Sequence, residues 1–196
     1  MNGAEELAAL LAQARACRVC EAHLPLGPRP VLRAQASARL LIVGQAPGTK
    51  VHESGIPWND ASGDRLRDWL ALEKEDFYDD SRIAILPMGL CYPGRDPRGG
   101  DLPPRPECAP LWHPPVTAQL PNISLTLLVG LYAQGHYLGK ARKGSLTETV
   151  KAWRDYGDER MPLPHPSWRN TGWLKKNPWF EKDLLPELRN RVAALM

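Results

Sequence analysis

The chain is most sharply bounded by what it lacks. No apolar run comes near the roughly 20 residues that a membrane-spanning helix needs. The opening residues, MNGAEELAALL, are acidic and helix-forming, without the basic start of a secretory leader. The expectation is a cytoplasmic protein with no membrane partner. Disulfides are rare in that compartment, so the chain's only four cysteines need another explanation. Phenylalanine is nearly missing, at two residues, whereas tryptophan occurs seven times. There is no internal repeat and no low-complexity tract. Acidic residues are missing from two long stretches. None lies between Glu21 and Glu53, where Arg29, Arg33, Arg39 and Lys50 stand. None lies from 161 to 180, where Arg169, Lys175 and Lys176 follow Arg160. The net charge of +3 is mild, but these stretches are where an anionic partner is expected, unless they are only solvated loops.

Proline and glycine, by contrast, are abundant at twenty and sixteen residues, which argues for long shaped loops rather than a helical bundle. A length of 196 residues suits one domain over 1–196 and is short for two. The chain is organised around residues 40–70, LLIVGQAPGTKVHESGIPWNDASGDRLRDWL. Leu40 to Val43 read as a buried strand. Gly44, Pro47 and Gly48 then break the chain where its backbone can approach a ligand. About ten residues of loop lead to Trp58, Asn59 and Asp60, and Ser62 is placed to cap a helix carrying Leu66, Trp69 and Leu70. A strand, a glycine turn and a helix in this order place a ligand at the carboxyl end of the strand.

The remaining chain alternates in the same way. A helix is expected over 4–16 and an extended connector over 21–38. A second strand is expected over 82–90, interrupted late by Pro87, and a proline-rich loop over 91–115 with helix only around Leu111 to Leu120. A third strand is expected over 124–130, followed by helices over Leu131 to Leu138 and 145–154, the latter capped by Ser145 with Glu148 three positions on. Met161 to Leu163 form a short fourth strand, the stretch HPSWRNTGWLKKNPW is loop, and 179–196 close the chain as an amphipathic helix. This pattern predicts an α/β fold: three layers, α/β/α, around a central, mostly parallel four-stranded sheet.

Cys17 and Cys20 form a Cys-x-x-Cys pair, while Cys91 and Cys108 are separated by sixteen residues of proline-rich chain. Four thiolates can hold zinc tetrahedrally or an iron–sulfur cluster. A long loop in place of a second close pair tilts the reading toward a cluster; four free cysteines are the alternative.

With these parts in order, the sequence resembles the uracil-DNA glycosylase superfamily, most closely its iron–sulfur families four and five. GQAPG, residues 44–48, is similar to the GEAPG and GLAPG turns of those families, which implies base contacts from Gly44, Gln45 and Ala46. GIPWNDASG, residues 55–63, looks like the family-five stretch in which an aromatic stacks on the flipped base and an aspartate serves catalysis. On that match Trp58 stacks, Asn59 lies at the base and Asp60 is catalytic. HPSWRNTG, residues 165–172, resembles the second catalytic motif, with His165 facing the base and a loop that enters DNA. The resemblance also implies a structural 4Fe–4S cluster on Cys17, Cys20, Cys91 and Cys108, with zinc as the alternative.

One departure stands out. The asparagine with which the related enzymes read the uracil edge is absent, and Pro87 or Met88 occupies its place, which relaxes selectivity among deaminated bases. The expected partner is DNA carrying uracil or another deaminated base, bound by a monomer. Chemistry on a base requires taking it out of the stack. Asp60 would then steady the sugar cation as the glycosidic bond breaks, unless it only caps the following helix. His165 would donate to the base oxygen as charge grows there. Trp168 would fill the gap left in the duplex, unless it packs beneath Trp173 or Trp179, with Lys50, Arg169, Asn170, Lys175 and Lys176 contacting the backbone. A catalytically weak nucleobase- or DNA-binding protein of the same fold and an iron–sulfur redox module are the competing expectations.

Overall fold

The fold, a computed structural model that describes residues 3–196, is built on four parallel strands in the order β2-β1-β3-β4. These are β1 (Leu40–Val43), β2 (Ile83–Ile85), β3 (Leu125–Val129) and β4 (Arg160–Leu163). The pairing is parallel throughout: Leu40 faces Ile83 on one side and Leu125 on the other, and Leu127 faces Met161. Short apolar runs form these strands because both faces are covered, so every position can be buried. Leu40, Ile42, Ile83, Ile85, Leu127 and Leu163 pack into the core of one face, and Leu41, Val43, Ala84 and Leu128 into that of the other.

The helices are α1 (Gly3–Arg15), α2 (Thr49–Ser54), α3 (Ala61–Leu70), α4 (Lys74–Phe77), α5 (Cys108–Ala118), α6 (Leu131–Leu138), α7 (Leu146–Lys151), α8 (Thr171–Lys176) and α9 (Leu185–Ala193). One layer contains α3 and α9, whose Leu66, Trp69, Leu70, Leu185, Leu188 and Val192 share a core with the sheet. The opposite layer contains α1, α5 and α6. Among the described residues no helix is long and apolar enough to cross a membrane.

Several expectations need correction. The second strand is only Ile83–Ile85, although Leu86 N–H and Met88 N–H still donate to Ile42 O and Gly44 O, at 3.0 Å each; Pro87 lies between them where its missing N–H would face away from β1. Helix α5 begins at Cys108 rather than near Leu111. Pro110 sits in its first turn, where a missing donor costs nothing, while Pro114 and Pro115 lie inside it. Helices α2 and α8 replace parts of two expected loops. The closing helix starts as a π segment, Phe180–Leu184, before α9. Pro186 follows that segment and has no donor for the preceding turn, which gives the widened turn a cause. The helix expected over 145–154 ends at Lys151 and continues as a 3-10 turn over Trp153–Tyr156, although Ser145 caps it by accepting from Glu148 N–H.

Candidate active site

Gly44 follows β1 and opens a turn stitched to the chain after β2. Met88 N–H donates to Gly44 O at 3.0 Å and Gly89 N–H to Gln45 O at 2.9 Å. Gly44 also makes room for Trp58: a Cβ there would lie 2.7 Å from Cζ2 of the indole. Trp58 has φ +58°, a left-handed conformation that bulky residues rarely adopt. Three neighbours enforce it. A Cβ at Gly63 would come within 1.7 Å of Trp58 O, so only glycine fits there. Arg67 Nη1 donates to that carbonyl at 3.3 Å, and Tyr78 OH donates to Pro57 O at 2.9 Å. Strain held this firmly points to a working residue.

Asp60, and not Ser62, caps α3: Oδ1 accepts from Gly63 N–H at 2.8 Å. Oδ2 is directed toward Gly48, 4.0 Å from where a Cβ would stand. One oxygen therefore holds the helix while the other faces the hollow. Capping and chemistry, alternatives in the sequence, are compatible in the structure.

His165 leaves β4 and sets its ring 5.7 Å from the Trp58 ring, at 36°. Burial holds its imidazole below the ordinary histidine pKa, with the negative charge of Asp60 opposing. The neutral ring, a donor at one nitrogen, is the form present at neutral pH.

These groups wall a hollow of about 550 Å³, within the range of small-molecule sites. Gly44, Gln45, Ala46, Trp58, Asp60 and His165 line it, and Trp168, Arg169 and Asn170 stand at its wall as well. Five expected site residues do not. Met88 is buried in the core of the opposite face, contributing only its N–H to the turn, and Pro87 lines the hollow in its place. Asn59 is half-buried outside the hollow. Lys50, on α2, and Lys175 and Lys176, on α8, are exposed and do not line it, although Thr49 and Val51 on either side of Lys50 do.

The second-motif loop is pinned from within. Asn170 Nδ2 donates to His165 O at 2.7 Å, so this amide holds the loop. Trp168 is 72% exposed, with the Arg169 guanidinium 5.6 Å from its ring, and packs beneath neither Trp173 nor Trp179. Sequence reasoning missed the opposite wall, Tyr92, Arg95 and Asp101. Asp101 Oδ2 would lie 3.5 Å from a Gly48 Cβ, on the side where Asp60 also faces. Burial and Asp60 push its carboxyl up, while Arg169 and Arg95 pull it down, and burial prevails. The only signal was the Gly99–Gly100 turn just before it. Arg169 rests on that turn, so closely that a Cβ at Gly100 would collide with Nη1.

All four cysteines line one small second hollow with Arg105 and Trp112. Burial pushes the Cys91 thiol up to about 11 and the Cys108 thiol up to about 12. Cys91, Cys20 and Cys17 add to the rise at Cys108, whose Sγ accepts from Leu90 N–H at 3.2 Å. Arg105 Nε and Trp112 Nε1 are buried without a hydrogen-bond partner, and both belong to residues lining this hollow. Four thiols beside orphaned donors are the chemistry an iron–sulfur cluster takes, its sulfurs being acceptors. Among the described residues no group of three or more His, Cys, Asp or Glu side chains is set to hold a metal ion.

The profile of the uracil DNA glycosylase superfamily matches residues 33–189. The match takes in all four strands and both motif loops, and leaves Cys17 and Cys20 outside it. By that match, over a four-stranded parallel sheet with its hollow at the carboxyl end of β1, the chain belongs to the uracil DNA glycosylase superfamily.

Proposed function

We propose that the protein is a monofunctional DNA glycosylase that hydrolyses the N-glycosidic bond of uracil, and of other deaminated bases, after flipping the nucleotide into the hollow. The observation that carries this reading is the convergence of Trp58, Asp60 and His165 on one hollow with an exposed indole and a guanidinium at its rim. The base stacks on Trp58. The bond from C1′ to the base nitrogen breaks with its electron pair leaving on the base, and His165 donates a hydrogen bond to the base oxygen as charge develops. Asp60 Oδ2 steadies the cationic sugar and orients the water whose oxygen joins C1′, the proton that water gives up ending on the departed base anion. Trp168 fills the vacated place in the duplex, and Arg169, with Lys50, Lys175 and Lys176 farther out, meets phosphates.

Pro87 at the wall offers no side-chain amide to read the base edge; of the amides there, Asn170 is tied to His165 O and Gln45 makes only a long bond, 3.5 Å, to Leu102 O. Selectivity among uracil, hypoxanthine and xanthine is correspondingly relaxed. Cys17, Cys20, Cys91 and Cys108 hold a 4Fe–4S cluster that ties the end of α1 and the start of α5 together and takes no part in hydrolysis; zinc is the alternative occupant. The setting is cytoplasmic and the protein acts as a monomer.

The test is base release from single- and double-stranded oligonucleotides carrying uracil, hypoxanthine or xanthine. Release is expected, with Asp60→Asn and His165→Ala each slower by about tenfold or more. DNA binding without release from any of them would instead make this a binding member of the fold. Because His165 acts as the neutral donor, the rate should hold steady as pH falls through about 6.5 and drop only below it.

A further inference from the structure

Helix α3 carries Asp60 at its cap, and its buried face is fixed: Leu66, Trp69 and Leu70 are in the core, and Arg189 donates to the carbonyls of Trp69 and Asp68. From this fixed helix Arg65 reaches across to the second motif. Nη1 donates to Ser167 O at 3.0 Å and Nη2 to Thr171 Oγ1 at 3.3 Å. Ser167 and Thr171 are the two ends of the 3-10 turn Trp168–Asn170 that carries the exposed indole. A single guanidinium fork therefore closes the base of that turn. Among the described residues no carboxylate pairs with Arg65, so its donors are committed to the loop.

We propose that Arg65 is a positioning residue, which fixes how far Trp168 stands from the Asp60 carboxylate and so matters for duplex DNA rather than single strands. The proposal rests on the glycosylase reading. In a duplex, the nucleotide leaves the stack only if the wedge enters at the right distance from the hollow. In a single strand there is no stack to enter. A planar fork with two fixed donors does this; a lysine ammonium, with three rotatable donors on a flexible stem, sets no fixed geometry between two acceptors.

The experiment compares wild type, Arg65→Ala and Arg65→Lys in three measurements: thermal midpoint, uracil release from matched single- and double-stranded oligonucleotides, and hydrogen exchange over residues 167–172. The expected result for Arg65→Ala is an unchanged midpoint and faster exchange of those amides. Duplex activity should fall about tenfold or more and single-strand activity by less than about threefold, with Arg65→Lys in between on the duplex. Equal losses on both substrates, or unaltered exchange, would overturn the proposal. If the wild-type protein releases no base from any oligonucleotide, the glycosylase reading fails, and exchange then decides alone: faster exchange in Arg65→Ala supports the brace, and unaltered exchange refutes it.

Discussion

Asp60 caps α3 with one oxygen and turns the other to the hollow, and substitutions separate the two. Asparagine is itself a favoured helix cap, so Asp60→Asn should keep the bond to Gly63 N–H and lose only the charge facing the hollow. Asp60→Ala should lose both. Chemical denaturation is therefore expected to show Asp60→Asn close to wild type and Asp60→Ala lower by about 1 kcal/mol, with base release impaired in both. Equal stability of the two variants would show that the cap bond contributes nothing. At this scale the motif was legible: Gly44, Trp58, Asp60 and His165 were named from spacing and resemblance, and the structure brings all four to one hollow. Met88 and Pro87 could not be told apart in sequence, because a one-residue difference in an extended chain exchanges the two faces of the sheet. Arg65 was missed because Ser167 and Thr171 lie far away in sequence, and Asp101 because Gly48 and Asp60, which share its side of the hollow, do so as well.

Among the elements, α5 and the chain after β2 meet through one buried histidine. His113 Nε2 lies 3.0 Å from Pro87 O, and Nδ1 lies 2.8 Å from Tyr137 OH. A carbonyl only accepts, so Nε2 carries the proton and Nδ1 accepts from the tyrosine. Burial pushes His113 down to about 4, while in the unfolded chain it titrates near 6.5. Between those values the unfolded state binds the extra proton, so stability falls as pH falls. The expected loss from this group alone is about 3 kcal/mol from above pH 6.5 to below pH 4. It is read as the difference between the urea profiles of wild type and His113→Phe; parallel profiles would contradict it. The strands were legible because their apolar runs are short and sharply ended. Helix α2 was hidden between Gly48 and Gly55, which read as loop, and the start of α5 was hidden by prolines that a first helical turn tolerates. The π segment had no signal except Pro186.

Across the whole molecule, the cysteine hollow joins parts of the chain that are distant in sequence. Cys17 follows α1, Cys20 precedes the 3-10 turn Glu21–His23, Cys91 follows Leu90 and Cys108 opens α5. With a cluster bound, the purified protein should be brown and contain iron, and Cys108→Ser should lose the colour and lower the thermal midpoint by several degrees, about what 1–2 kcal/mol produces. Colourless protein containing zinc would assign the site to the other metal. The cysteine pattern was readable from spacing, whereas Arg105 Nε and Trp112 Nε1, the donors without partners, were visible only in three dimensions. The packing of α9 over α3 has a consequence for how the protein is made. Leu185, Leu188 and Val192 close the core on which the Asp60 helix rests, and they are synthesised long after that helix. A growing chain therefore carries its acid on a helix that has no seat until α9 has been made and folded back over it.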